Sequence, residues 1–226
     1  MGVISSQICG TIGGGALEAQ VIAAARDMLR SGEASAMIDQ PLGPDIGQCC
    51  GGRVQLTIAR ATPDIVESLR NSEEAASAAY PSVLIFGAGH AGGALAKALS
   101  PLPLRVSVID QRSDWLAALA ITVNTIETAL PEAEVTIAPP GAAFVIMTHD
   151  HALDFLIAEA ALSRGDAAYV GMIGSASKRA RLTADLARKG VLSDALTCPI
   201  GAGGPADKRP EVIAAATAAE IAAILL

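Results

Sequence analysis

From Ser82 onward, short runs of continuous apolar residues alternate with longer segments whose apolar positions recur at helical spacing. The runs are Ser82–Phe86, Arg105–Ile109, Ala142–Met147 and Ala168–Ile173. They show no polar alternation, which predicts strands buried on both faces. Between and after them, Ala91–Leu99, His151–Ser163, Ser175–Lys189 and Pro210–Leu226 read as helices. Strands each followed by a helix give a parallel sheet covered on both sides. Upstream the pattern is different. Leu17, Val21, Ala24, Ala25 and Met28 fall on one face of a helix predicted from Ala16 to about Arg30. Val54–Ala59 alternates like a half-buried strand. Asn71–Tyr80 reads as a linker or a short solvated helix, with Glu73 and Glu74 as surface charges.

Gly87-Ala88-Gly89-His90-Ala91-Gly92 sits between a buried strand and a helix, the context in which a G-x-G-x-x-G binds a dinucleotide. Gly87 permits the tight turn, Gly89 lets a phosphate approach the backbone, and Gly92 lets helix and strand pack closely. Asp110 ends the next strand, where a carboxylate accepts from ribose hydroxyls, and Arg112 beyond it is positioned for a second phosphate. The fold class is therefore α/β. A small N-terminal α+β module over residues 1–70 carries a Cys-Cys loop, residues 71–80 link it, and residues 81–226 form a Rossmann-like parallel-sheet domain.

The densest chemistry lies in the first module, at Gly47-Gln48-Cys49-Cys50-Gly51-Gly52-Arg53. Adjacent cysteines close a badly strained ring if joined to each other. Two readings are open: buried small hydrophobes, or thiols offered to a soft metal or a sulfur donor. A free thiol has a pKa near 8.5, and a depression of about two units amounts to about 2.7 kcal/mol. A helix terminus supplies about 0.3–1 kcal/mol of that. A cation such as Arg53, or a bound metal centre, must supply the remainder. Gly13–Gly15, at the start of the first helix, either hold an anion on free amides or simply turn the chain.

Composition narrows the classes of partner. The 226 residues carry a net charge of −7, which argues against nucleic acid, since a phosphate backbone needs a basic face. Aromatic residues make up 3%, so ring stacking is not the main recognition device. Met1-Gly2-Val3-Ile4 has neither a basic nor a long apolar leader, which predicts a cytoplasmic protein with free thiols. Val212–Leu226 is apolar but interrupted by Glu220, and is shorter than the roughly 20 residues that span a bilayer. It is expected to be a buried helix, with no membrane partner.

Two further motifs belong at the carboxyl edge of the sheet, where such folds bind ligands. Thr148-His149-Asp150-His151 follows a strand. His149 and His151 are ligand-facing candidates, but their spacing is a poor zinc signature without further ligands. Asp154 falls in the first turn of the helix that follows. Gly174-Ser175-Ala176-Ser177-Lys178-Arg179 opens another helix, either as an ordinary cap or as an anion site backed by Lys178, Arg179 and Arg181. Cys198 has no partner at metal-like spacing and reads as buried.

Taken together, G-T-I-G-G-G at Gly10–Gly15, G-Q-C-C-G-G at Gly47–Gly52, F-G-A-G-H-x-G at Phe86–Gly92, T-H-D-H at Thr148–His151, Y-V-G-x-I-G-S at Tyr169–Ser175, K-R-A-R at Lys178–Arg181 and C-P-I-G at Cys198–Gly201 resemble the xanthine dehydrogenase accessory factor (XdhC/CoxI) family. The resemblance implies a molybdenum cofactor chaperone rather than an enzyme. Such a protein binds molybdenum cofactor (molybdopterin) as cargo, supports its sulfuration with sulfur from a cysteine desulfurase, and inserts it into a xanthine dehydrogenase-type molybdoenzyme. It implies that Cys49 and Cys50 lie near molybdenum, flanked by Gln48 and Arg53. The glycine loop (Gly87, Gly89, His90, Gly92) and Ser175–Arg179 would hold the phosphate end of the pterin. Asp110, His149, His151, Gly174, Ser175 and Lys178 complete the expected cofactor-binding set, with a nucleotide in the Rossmann site as a second cargo. Family members carry more sequence before the G-T-I-G-G-G turn than the Met1–Cys9 found here. A first module that is shortened, or completed by a partner chain in a homo-oligomer, is the expectation. An alternative is an NAD(P)-dependent oxidoreductase resting on Gly87–Gly92 and Asp110, with His149 and His151 as its acid–base candidates. A third is a regulatory binding protein with a vestigial nucleotide site.

Overall fold

The computed structural model describes residues 1–43 and 52–226, in two compact units, Met1–Ser72 and Glu73–Leu226. In the first unit β1 (Gly2–Val3) pairs antiparallel with β2 (Ile8–Cys9). Helix α1 (Gly15–Ser31) buries Leu17, Val21, Ala25 and Met28, one stripe at helical spacing, with Ala24 beside it half-buried. Gly32 ends it in the left-handed conformation, donating to the Met28 carbonyl. The hairpin of β3 (Ser35–Pro41) and β4 (Arg53–Ala59) alternates exposed and half-buried positions on both strands. Only β4 is evident from its sequence. Ser-Ala-Met-Ile-Asp-Gln-Pro in β3 gains its strand conformation from seven registered pairs with β4. Helix α2 (Pro63–Ala78) has no buried residue and takes in most of the Asn71–Tyr80 stretch.

The second unit is built on six parallel strands in the order β10-β9-β8-β5-β6-β7. They are β5 (Ser82–Phe86), β6 (Arg105–Asp110), β7 (Asn124–Glu127), β8 (Ala143–Ile146), β9 (Tyr169–Met172) and β10 (Leu196–Thr197). Side chains alternate between two cores. Val83, Ile85, Val106, Val108 and Val145 face α3 (His90–Leu99), α4 (Ser113–Ala117) and α8 (Pro210–Leu225). Leu84, Phe86, Ile109, Phe144 and Ile146 face α5 (Pro131–Ile137), α6 (His151–Arg164) and α7 (Ala176–Arg188). The continuous apolar runs of β5 and β8 are thus explained: both faces are dry. Helix α8 buries Ala214, Thr217, Ala218 and Ile221 and packs on α3. Among the described residues no helix is long and apolar enough to cross a membrane. The chain runs β5, β6, β7 in one direction and resumes at β8 on the other side of β5, so the strand order reverses between β5 and β8. Crevices at such reversals are where open α/β sheets receive ligands.

Candidate functional site

The β5–α3 turn follows the glycine reading closely. Gly87 has φ +115°, and a Cβ there would lie 2.4 Å from the Met147 carbonyl oxygen. A Cβ on Gly92 would lie 1.8 Å from the Gly87 carbonyl oxygen. Gly89 has ordinary backbone and open space around it, and no side chain caps α3. The first amides of α3 are therefore available to an anion at the carboxyl edge. His90 stands edge-on to Trp115, with ring centroids 5.7 Å apart. Together with Lys97 and Glu211 these two rings line a groove of about 730 Å³ beside α3.

Asp110 does not point a free carboxylate at this turn. It accepts from the Ala88 amide at 2.7 Å, the Arg112 amide at 3.0 Å, and the Arg112 guanidinium at 2.9 and 2.8 Å. Burial pushes the Asp110 carboxyl up, but the Arg112 guanidinium with the two amides outweighs it and holds the group below the usual carboxylate range. Arg112 also lies over Trp115, 4.6 Å from the ring centroid. Arg112 is thus tied to Asp110 and Trp115 in this conformation, where the sequence places it against a second phosphate. The space bounded by Gly87, Asp110, Thr148 and His149 amounts to only about 10 Å³.

The loops after β8 and β9 meet around a buried charge. Asp150 caps α6, accepting from the Ala152 amide at 2.7 Å, and Ser175 caps α7, accepting from the Lys178 amide at 3.2 Å. Asp154, one turn into α6, is completely buried. It accepts from the Thr148 amide at 3.0 Å, the Thr148 hydroxyl at 2.7 Å and the Lys178 ammonium. Lys178 also donates to the Ile173 carbonyl at 3.1 Å. The cation expected to meet an anion is therefore paired internally. Above the pair lies a cavity of about 620 Å³ lined by His151, Phe155, Ser175, Ser177, Lys178 and Arg181. The structure brings His151, Ser175 and Lys178 together there, and Gly174 supports them from the β9–α7 turn. His149 lies apart from that cavity, beside Gly87 and Asp110.

Cys198 is buried, and burial pushes its thiol up despite the nearby charges of Lys178 and Arg179. In the first unit, Gln48, Cys49 and Cys50 lie outside the described residues, as does the spacing of the two thiols. Both ends of the connecting segment are described: the Leu42 amide donates to the Gly52 carbonyl at 2.9 Å. Arg53 forms a bidentate pair with Asp39 across the hairpin. This bond raises the arginine and lowers the carboxyl from their ordinary values. Its charge is shared with Asp39 before any thiolate is considered. At Gly10–Gly15, the Glu18 carboxylate accepts from the Ile12 and Gly14 amides and the Thr11 hydroxyl. Of the Gly13–Gly15 amides expected to meet an anion, this carboxylate holds that of Gly14, and the Thr11 hydroxyl accepts from that of Gly13 at 3.0 Å.

Asp39, Glu18 and Trp115 are residues that sequence reasoning passed over, and Asp154 reads in the sequence only as a first-turn acid. An acid in the first turn of a helix is by default a dipole residue, and no local signal marks Asp154 as buried. Its partner is 24 positions away. Asp39 and Arg53 become diagonal neighbours only through the hairpin register.

Comparison with known proteins agrees with this architecture. The family model described as the XdhC Rossmann domain matches residues 83–221, and that described as the XdhC and CoxI family matches residues 1–39. No curated protein matches the chain. Among solved structures, the crystal structure of a xanthine dehydrogenase from Bacillus halodurans superimposes with a TM-score of 0.70 at 17% identity, over 96% of this chain and 82% of that one. At that identity the likeness speaks to the fold. The matched segments contain the glycine loop, the Thr148–His151 loop and the start of α7, and the chain belongs to the XdhC and CoxI family.

Proposed function

We propose that this protein is an accessory factor for a xanthine dehydrogenase-type molybdoenzyme: it holds molybdenum cofactor, supports its sulfuration and hands it to the apo-enzyme. The observation that carries the reading is the cavity between α6 and α7, where two hydroxyls, a guanidinium and an imidazole gather at the carboxyl edge of the sheet. Such a set suits a phosphate-bearing guest. Ser175, Ser177 and Arg181 take the phosphate end, and His151 borders the guest on the α6 side. Lys178 supports from below through Asp154. Cys49 and Cys50, carried between β3 and β4, are assigned to the molybdenum end, with Gln48 beside them. A cysteine desulfurase is the sulfur source in this scheme. A nucleotide fits the amides of the Gly87–Gly92 loop, but a ribose reaches the Asp110 carboxylate only by displacing Arg112.

The test is to co-produce the chain with the cofactor pathway, purify it without oxygen, and measure molybdenum and pterin per chain. Wild type is expected to retain both, and Cys49→Ala and Cys50→Ala to lose molybdenum. Cofactor content no higher than in a strain lacking the pathway rejects the reading. Equal retention by all three proteins removes the cysteines from it. Hydride transfer has weaker support, because the gap between Gly87 and Thr148 is small and Asp110 is already satisfied. Calorimetry with NAD(H) and NADP(H) tests that alternative directly.

A further inference from the structure

We infer that Asp154 is a positioning residue: its pairing with Lys178 braces the loops after β8 and β9 and fixes the walls of the cavity above. The inference rests on reading that cavity as the anion-holding part of the site. The pair is costly to build. Removing two ions from water typically costs several kcal/mol each, and well-packed apolar residues often replace such pairs without loss of stability. Asp154 is fully buried, and the Lys178 side chain is only 12% exposed. General stability is therefore a poor account of why the pair is there.

Its connections are specific. Asp154 takes two donors from Thr148, at the end of β8. Lys178 donates to the carbonyl of Ile173, at the end of the neighbouring β9. One ion pair thus ties together two adjacent strand ends and the first turns of α6 and α7. The cavity walls rise from the first two turns of the same helices: His151 and Phe155 on α6, Ser177 and Arg181 on α7. Gly174 makes room for the arrangement. A Cβ there would meet Lys178 Cδ at 2.9 Å and the Cys198 sulfur at 3.3 Å, so the lysine stem crosses the turn where a side chain would otherwise sit. The consequence for recognition is that Lys178 contributes position rather than charge. Among the residues described as lining the cavity, Arg181 is the strong cation left to meet an anion.

The test uses the full chain, with peptide-resolved hydrogen exchange as the first readout and calorimetric titration of inorganic pyrophosphate as the second. Asp154→Asn is expected to speed exchange of the 148–151 and 173–178 amides at least tenfold, with β5 and β6 unchanged. The double variant Asp154→Asn/Lys178→Met keeps the stem and removes both charges. It relieves the unpaired charge without restoring the bonds, so exchange of both loops is expected to stay at least tenfold faster than wild type. Pyrophosphate affinity should fall at least tenfold in Asp154→Asn, stay low in the double variant, and be lost in Arg181→Gln. Wild-type exchange in Asp154→Asn, acceleration spread evenly over the domain, or wild-type protection of the loops in the double variant overturns the inference. Absence of pyrophosphate binding by wild type instead overturns the anion reading, and the exchange data still decide the role of Asp154.

Discussion

Replacing Gly92 and Gly89 separately by alanine distinguishes two functions that one motif combines. A Cβ on Gly92 would lie 1.8 Å from the Gly87 carbonyl oxygen and 3.0 Å from its carbon. A carbon–oxygen contact normally closes no further than about 3.3 Å. The first turn of α3 must therefore back away from the loop by more than an ångström, against a core in which Leu95, Ala96 and Leu99 are completely buried. Overpacking of this kind costs about 1–3 kcal/mol, and alanine in place of a helical glycine returns about 0.5–1 kcal/mol. The displacement needed puts Gly92→Ala in the upper part of the overpacking range, about 2–3 kcal/mol, so the net expectation is a loss of about 1–2.5 kcal/mol, or about 2–10 °C in Tm for a domain of this size. Gly89 has φ −66° and nothing within 4 Å of its Cβ position. Gly89→Ala should stay within about 0.5 kcal/mol of wild type, its effect confined to the approach of a phosphate. Urea unfolding followed by Trp115, the single tryptophan, reads both. Equal midpoints for Gly92→Ala and wild type, or equal losses in the two variants, would refute this division of roles.

Three other outcomes are expected. Tyr169 donates to Glu220 at 2.9 Å, and Glu220 also accepts from the Gly201 amide at 3.1 Å. Tyr169→Phe should cost about 1.5–3 kcal/mol in denaturant titration, while a change under about 0.5 kcal/mol would show the bond to be idle. Asp110 titrates below its unfolded value, so its contribution to stability is present above about pH 4 and fades as pH falls through the folded value. The stability gap between wild type and Asp110→Asn should then be constant near neutrality and close in acid; a gap independent of pH down to unfolding contradicts the pairing. Cys198 is buried with a raised pKa and Cys9 is exposed. In brief alkylation of the native chain at pH 8, mass mapping should find Cys198 labelled at least about tenfold more slowly than Cys9, and equal labelling would place the Cys198 sulfur in solvent.

The parallel sheet was legible because β5 and β8 are apolar on both faces and so carry a signal that depends on nothing else in the chain. The glycine roles at 87 and 92 were legible for a related reason: a glycine between a buried strand and a helix has few other uses. Strands β3, β7 and β10 were not, since each owes its conformation to a neighbour. Asn124–Glu127 becomes a strand by pairing with Ser107–Asp110, and Leu196–Thr197 by pairing with Val170–Gly171. Motifs marked the candidate site residues but gave no sign of how their charges are engaged. Arg53, Arg112 and Lys178 all read as free cations, and all three are paired.

Local sequence was sufficient to settle the alternation of strand and helix, the turn glycines and the family to which the chain belongs, because periodicity and backbone strain act over a few residues. Tertiary structure alone decided which charges remain available to a ligand. Coulomb attraction and hydrogen bonding join groups close in space, and the distance along the chain from Asp39 to Arg53, or from Asp154 to Lys178, carries no trace of that closeness.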